Sequence, residues 1–495
     1  MLSFGKVLLT STSAVATAQH LASLVGYGAL RDGGNAFDAA TAASFALAVT
    51  LPHLSGLGGD FFALFQDGKT GKVQCVNGSG WAPSGATAER IVSLEKGEMP
   101  KFGPNSVVVP GMVRGVYELH KRFGKLEFGK LLKGAVRLAD KGFPISPGLA
   151  KAIEVAGESL PPDARRVFSG DEGLPAGSIL VQFKLAETLK EIAKQGPEGF
   201  YTGKTAESVC AAMAKGGLEV QPEDFSSLQA EWADPLKTEY KGHEVFEVPP
   251  NSMGAATLLI LKQLESLPKT KADSLRRIVD VTEATKVAWQ AKEEQLGDPR
   301  FVDFDLDRFL GFRRKARSAT LTGGDTTYFA VADDEGNLLS CVQSLFHSFG
   351  SRVYVREAGF FLNNRGSGFR LKGPNKVEPR KRPVHTLSAL LVSRDGSPSV
   401  AIGTSAGEYR PQLHALFVTN LVDYSMSLEE AIGFPRFAWT GEDTIVENGY
   451  KIGGGGGRPG IKEHGPIGVA QGVELMGGQK KSVCDTRGDG FPAGA

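Results

Sequence analysis

The spacing of apolar and polar positions divides the chain into helical and extended stretches. From residue 15 to residue 30 apolar side chains recur at helical intervals, which predicts an amphipathic helix. Residues 36–49 (AFDAATAASFALAV) are apolar almost all round and predict a helix buried on every side. Residues 56–60 (GLGGD) form a tight loop that leads into a buried strand at 61–66. Because these glycines precede a strand and not a helix, they make a poor phosphate cradle. Helical patterns dominate from 115 to about 267, clearest at 185–194 and 205–214, and another helix is expected over 274–296 before the Asp298-Pro299 stop.

The second part of the chain returns to strands. Residues 326–332 (TTYFAVA) are rich in β-branched and aromatic side chains, Asp333, Asp334, Glu335, Gly336 and Asn337 compose a turn, and residues 338–343 (LLSCVQ) run back. Strands are also expected at 387–392 and 399–402, around Asp395-Gly396, followed by a helix at 411–424. Five glycines at 453–457 predict a flexible surface loop, and residues 487–489 (RGD) a turn.

Composition narrows the class. The 495 residues suit about three domains or one large layered fold, and 41% hydrophobic with 22% charged residues describes an ordinary globular protein. A net charge of +1 argues against a broad nucleic-acid or anionic-membrane surface, and no stretch is long and apolar enough to span a bilayer. The basic run of Arg313, Arg314, Lys315 and Arg317 reads as a solvated linker. Four cysteines without a CxxC pair and eight scattered histidines give no metal or disulfide pattern, so no metal and no cofactor are expected. With no export signal recognisable at residues 1–10, the expected location is cytoplasmic.

Two nucleophiles compete. Thr326 opens a strand after the loose stretch 318–324, and cleavage of the Asp325-Thr326 bond would give it a free α-amine beside its hydroxyl. Such an amine, with a reference pKa of about 7.7–8.0, is a general base suited to neutral pH. The rival is Ser405 in Gly403-Thr404-Ser405-Ala406-Gly407, a G-x-S-x-G elbow between a strand and a helix, with Asp423 or Asp443 and then His464 downstream. No glycine-rich oxyanion segment of the expected type lies upstream of it.

Further motifs separate the two. Residues 33–40 (GGNAFDAA), the loop from Leu51-Pro52-His53 to Gly58-Gly59, Val109-Pro110-Gly111, Gly142-Phe143-Pro144, Gly199-Phe200-Tyr201, Pro249-Pro250-Asn251-Ser252 and Gly297-Asp298-Pro299 are followed by the Thr326 hairpin and Asn363-Asn364. Lys381-Arg382-Pro383, Pro435-Arg436-Phe437 and Asp485-Thr486-Arg487 continue the series. In this order the chain resembles the γ-glutamyltranspeptidase family over nearly its whole length. The resemblance implies an α+β, four-layer αββα sandwich of the N-terminal nucleophile hydrolase type. It also implies self-cleavage between Asp325 and Thr326 into a 1–325 and a 326–495 piece that remain associated, as a heterodimer or a higher oligomer.

By the same resemblance Thr326 is the nucleophile of both self-cleavage and amide hydrolysis. Ser344 supports it, Thr327 is a structural hydrogen-bonding residue, and the Ala406 and Gly407 backbone N–H groups form the oxyanion hole. The substrate clamp departs from the family: the carboxylate-binding arginine falls at Ser79, an asparagine becomes Phe346, the acidic residue that grips the amino group becomes Gly368, and two serines become His385 and Thr386. Arg365 is the candidate replacement cation, or else an internal ion-pair partner. A shortened segment from Phe369 to Arg382 suggests an open site that favours hydrolysis over transfer. The departures resemble a transpeptidase-like subgroup akin to cephalosporin acylases. The expected substrates are small γ-glutamyl amides such as glutathione. Alternatives are an acylase for glutaryl-like amides, a Ser405 hydrolase and an inactive processed scaffold.

Overall fold

The computed structural model describes residues 5–170, 173–313, 321, 325–394, 396–448, 450 and 460–495. Arg314, Lys315, Arg317, Asp395 and the glycine run 453–457 lie outside the described residues. Two seven-stranded sheets organise the molecule. One runs, in spatial order, Pro492–Gly494, Ala14–Thr17, Asp325–Ala332, Leu338–Phe346, Asp60–Gln66, Val73–Gly78 and Glu231–Ala233. The other runs Lys6–Thr10, Gln479–Cys484, Ala470–Met476, Ser397–Thr404, Leu390–Arg394, His243–Glu247 and Leu236–Tyr240. Neighbouring strands are antiparallel throughout both.

The period-2 pattern of the strands sorts side chains into layers. Tyr328, Ala330, Ala332, Phe62 and Leu64 of the first sheet meet Leu391, Ala401 and Val473 of the second in a core between the sheets. On the first sheet's outer face Phe329, Val331, Phe61 and Phe65 pack against helices, above all Ala36–Thr50. On the second sheet's outer face Val245, Leu390, Val400 and Ile402 pack under the helices Gly254–Glu265, Leu275–Gln295 and Arg410–Val422. The result is the four-layer αββα sandwich.

The buried helix Ala36–Thr50 has all of its residues out of solvent. Asn35 caps it, accepting from the Phe37 and Asp38 amides, while Asp38 accepts from the Asn35 amide at 2.9 Å. Asp333 then ties the central hairpin to this helix, because its Oδ2 accepts from the Ala36 amide at 2.7 Å. The hairpin turn forms as composition predicts, with Gly336 at φ +84° and Asp333 Oδ1 accepting from the Glu335 and Asn337 amides.

Three local expectations need correction. Instead of one helix over 15–30, Ala14–Thr17 is a fully buried strand, and the helix starts at His20, capped by the Gln19 side chain. A short apolar run fits strand and helix equally, and pairing with Asp325–Ala332 decides it. The stretch 115–267 is interrupted by the strands Glu231–Ala233, Leu236–Tyr240 and His243–Glu247. The strand expected at 387–392 begins at Leu390. The helix expected at 274–296 spans Leu275–Gln295, with Ser274 as its cap.

Candidate active site

The register that pairs Thr327 with Gln343 sets Thr326 across from Ser344, on the face that points between the sheets. One extra residue then bulges before Asp325 meets Phe346, and Phe346 takes φ +87°. Bulges commonly re-aim side chains beside functional sites. Thr326 Oγ1 lies 3.4 Å from Ser344 Oγ, and Ser344 Oγ donates to the Asp325 carbonyl oxygen at 2.7 Å. The Phe346 amide donates to the same Ser344 oxygen at 2.7 Å, which fixes the hydroxyl's direction. Thr326 is 1% exposed. A threonine hydroxyl, the carbonyl before it and a hydroxyl polarising that carbonyl therefore share one point. Thr327 is buried, but its Oγ1 has no protein hydrogen-bond partner, so the hydrogen-bonding role expected of it is not observed.

The strand Ser397–Thr404 brings up the second component. After Thr404 the chain turns through Ala406, at φ −178° and ψ 13°, and Gly407, at φ +53°. Among the described residues the Ala406 and Gly407 N–H groups donate to no protein acceptor. The turn is anchored on both sides: Ser405 N–H donates to the Val469 carbonyl at 3.0 Å, and Arg410 Nε to the Thr404 carbonyl at 2.8 Å. Free, fixed amides of this kind can hold a developing oxyanion.

The serine elbow does not assemble. Ser405 Oγ accepts from the Val469 amide at 2.9 Å, while His464 is exposed and bonded through Nδ1 to the Gly465 carbonyl. Asp423 is engaged by Tyr240 and Lys241, and Asp443 by Lys462. Among the described residues no acid–base pair reaches Ser405.

Behind Thr326 lies a buried charged cluster that local sequence patterns do not reveal. Asp60, Arg365 and His385 are each 0% exposed. Asp60 Oδ1 accepts from the Gly80 amide at 2.7 Å, and its Oδ2 stands 3.0 Å from His385 Nε2 and 3.5 Å from Arg365 Nε. His385 Nδ1 accepts from the Leu387 amide at 3.2 Å, so the ring's proton sits on Nε2 and faces the carboxylate. Burial pushes the His385 pKa down to about 3, with Arg365 adding to the effect, and the ring stays neutral. Burial raises the Asp60 carboxyl, but His385, Arg365 and the Gly80 amide outweigh it and hold the group below its ordinary range.

Arg365 thus has an internal partner, one of the two expectations for it. Its Nη1 donates to Thr386 Oγ1 at 2.9 Å, and the Phe346 ring covers the guanidinium at 4.2 Å. Among the described residues Nη2 has no hydrogen-bond partner. Burial pulls Arg365 down to about 10 and Arg410 to about 9, both still cations at neutral pH. Arg410 donates to the Thr386 carbonyl, so Thr386 is held between two arginines. Ser79 sits elsewhere in the cluster, its Oγ 2.7 Å from Asn77 Oδ1 and 3.4 Å from Asn251 Oδ1. Ser79 and His385 are thus engaged by polar neighbours within the protein, while Phe346 and Thr386 both contact Arg365 and Phe346 ends the strand that carries Ser344.

The glycine-rich loop has a packing role. A Cβ on Gly58 would collide with the Phe361 carbonyl, and one on Gly59 with the Ser344 carbonyl. Asp60 does carry a local signal, a carboxylate entering an otherwise apolar strand. Among the described residues no group of three or more His, Cys, Asp or Glu side chains is placed to hold a metal ion, and no helix is long and apolar enough to cross a membrane.

Two packed antiparallel sheets between helical layers, with a threonine at the head of an inner strand, define an N-terminal nucleophile hydrolase fold. The chain belongs to the γ-glutamyltranspeptidase family: the model described as "Gamma-glutamyltranspeptidase" matches residues 22–495. It is 36% identical over 454 residues to the glutathione hydrolase-like YwrD proenzyme of Bacillus subtilis (strain 168), covering 88% of this chain and 86% of the relative. It is 30% identical over 483 residues to the glutathione hydrolase proenzyme of Escherichia coli (strain K12), with 88% and 83% covered. Among solved structures, cephalosporin acylase from Bacillus halodurans matches with a TM-score of 0.90 at 30% identity, over 99% of this chain and 97% of that one.

Proposed function

We propose that the chain is an autoprocessing amidase in which Thr326 cuts its own Asp325-Thr326 bond and then serves as the catalytic nucleophile. The observation that carries this reading is the Ser344 hydroxyl, donating to the Asp325 carbonyl at 2.7 Å beside the Thr326 hydroxyl. In self-cleavage Thr326 Oγ attacks the Asp325 carbonyl carbon, and the C–N bond breaks as the departing nitrogen takes a proton. That step frees the Thr326 amine, and water then hydrolyses the resulting ester, releasing the Asp325 carboxylate and restoring the Thr326 hydroxyl.

In turnover that amine accepts the hydroxyl proton, Thr326 Oγ attacks a substrate amide, and the Ala406 and Gly407 N–H groups bind the oxyanion. The proton passes to the leaving amine, and water resolves the acyl-enzyme. The 1–325 and 326–495 pieces remain together because their strands interleave. Asp325–Ala332 pairs with Ala14–Thr17, and Lys6–Thr10 with Gln479–Cys484.

γ-Glutamyl amides, glutathione among them, are the leading substrate class, with hydrolysis favoured over transfer. Support comes from the family and from Arg365, a buried cation whose Nη2 has no hydrogen-bond partner among the described residues and whose Nη1 is bonded to Thr386. A second reading, a glutaryl-type acylase, is favoured by Gly368. No carboxylate side chain is available at this position for an α-amino group, and a glutaryl chain needs none. On a denaturing gel, wild type should resolve into two pieces and Thr326→Ala should stay as one 52.5 kDa band. If wild type stays whole after long incubation, the proposal fails. Hydrolysis of glutathione against a glutaryl amide then separates the two acyl groups.

A further inference from the structure

The oxyanion turn is anchored through its backbone at Ser405 and Arg410, and it also has a side-chain anchor, at the residue following Gly407. Glu408 reaches the helix Leu275–Gln295, where Lys292 Nζ lies 3.5 Å from its Oε1. Lys292 is an unusual lysine. Its side chain is 7% exposed, its ammonium sits 3.5 Å from the centroid of the Trp289 ring, and it forms a 2.8 Å ion pair with Glu293 Oε1. Glu293 in turn receives Arg370 through Nε at 3.2 Å and Nη2 at 3.1 Å. A row of four alternating charges therefore runs from the oxyanion turn to the rim of a cleft of about 680 Å³, whose walls include Met99, Phe369 and Leu371.

Holding a lysine out of water is costly unless its partners are well placed. Here the indole and two carboxylates fix the ammonium, and the fixed ammonium in turn fixes Glu408. We propose that Lys292 is a positioning residue for the oxyanion hole, acting through Glu408 to hold the Gly407 N–H in its aim. The inference rests on the reading of Thr326 as nucleophile and of Ala406 and Gly407 as oxyanion donors. It separates turnover from self-cleavage, because in the uncut chain the Asp325 carbonyl is held by Ser344 and not by this turn.

The test uses p-nitrophenyl acetate, an activated ester that acylates through an oxyanion without needing the natural acyl group. The burst-phase rate constant and its dependence on ester concentration give an acylation rate constant and an apparent ester affinity. In Lys292→Met, self-cleavage should proceed as in wild type and ester affinity should hold within about twofold. The acylation rate constant should fall about 10- to 100-fold, as expected for a displaced rather than deleted donor. Lys292→Arg, which can still stack on Trp289 and reach Glu408, should recover most of the rate.

Glu408→Gln keeps the shape and removes the ion pair, and it covers the case in which Lys292→Met folds poorly. It should lose rate comparably, and the two losses should not add in the double variant. Wild-type acylation in either Lys292→Met or Glu408→Gln, or a loss confined to ester affinity, overturns the proposal. A burst that survives Thr326→Ala instead sinks the nucleophile assignment on which it rests.

Discussion

Ser344 uses one oxygen for three jobs: it accepts from the Phe346 amide, receives Thr326, and donates to the Asp325 carbonyl. An O–H fixed in this way lowers the barrier to attack on that carbonyl, because it is already aimed where negative charge develops. Ser344→Ala should slow self-cleavage about 10- to 1000-fold, followed as the appearance of the two pieces on a gel time course, while Ser344→Thr should cleave near the wild-type rate. Equal rates in wild type and Ser344→Ala would show that the Asp325 carbonyl needs no such donor. Arg365 shows the opposite situation. Its guanidinium is already shared between Asp60 and Thr386, so any substrate carboxylate must compete with, or add to, an existing buried pair.

At the scale of elements, the two sheets approach closely where the strand Ser397–Thr404 crosses Tyr328. A Cβ on Gly403 would collide with the Tyr328 ring, which is fully buried and holds Ser340 Oγ at 2.8 Å. Gly403→Ala should therefore cost about 1–3 kcal/mol, read as a lowered denaturant midpoint. An unchanged midpoint would mean that the sheets can part without penalty. The same region shows what a sequence can carry. Alternating side chains and a turn of Asp, Gly and Asn made the hairpin around Thr326 legible, and the all-apolar face of residues 36–49 made the central helix legible. The strand Ala14–Thr17 leaves no clear signal, because three apolar residues and a threonine have no period of their own. The site divides in the same way. Thr326 opens a recognisable hairpin, whereas the roles of Ser344, Ala406 and Gly407 were legible only through the family resemblance, the local G-x-S-x-G pattern pointing instead to Ser405. The pairing of Asp60 with His385 and Arg365 joins residues about 300 positions apart, and Lys292 meets Glu408 across 116, so neither leaves a local trace.

For the whole molecule, histidines kept neutral by desolvation add to acid sensitivity, alongside carboxylates such as Asp60 and Asp485 that the fold holds below their ordinary range. Burial lowers His53 to about 3, lowers His385 to about 3 with help from Arg365, and lowers His347 to about 4 with help from Lys101, Arg365 and Arg352. Each is held neutral in the fold but takes up a proton near pH 6.5 once unfolded. Their contribution to stability is thus complete above about pH 6.5 and declines as pH falls toward 4 and 3. Each can remove up to about 1.4 kcal/mol per pH unit. Calorimetry should give a Tm clearly lower at pH 5 than at pH 7, and a constant Tm would contradict the neutral assignment.

The strand pairing has a last consequence, for chain order. The strand Lys6–Thr10 is hydrogen-bonded to Gln479–Cys484, and the amides of Thr12 and Ser13 both donate to the carbonyl of Ala495. Strands near the two ends of the described chain thus lie side by side, while the strand Asp325–Ala332 is internal to the first sheet. A polypeptide re-started at Thr326 and joined across the old ends would thread the same two sheets. If Thr326 is the nucleophile proposed above, it would there have a free amine from the outset, with no internal bond to break, and the proposed self-cleavage would be a route to a new beginning that the sandwich itself does not require.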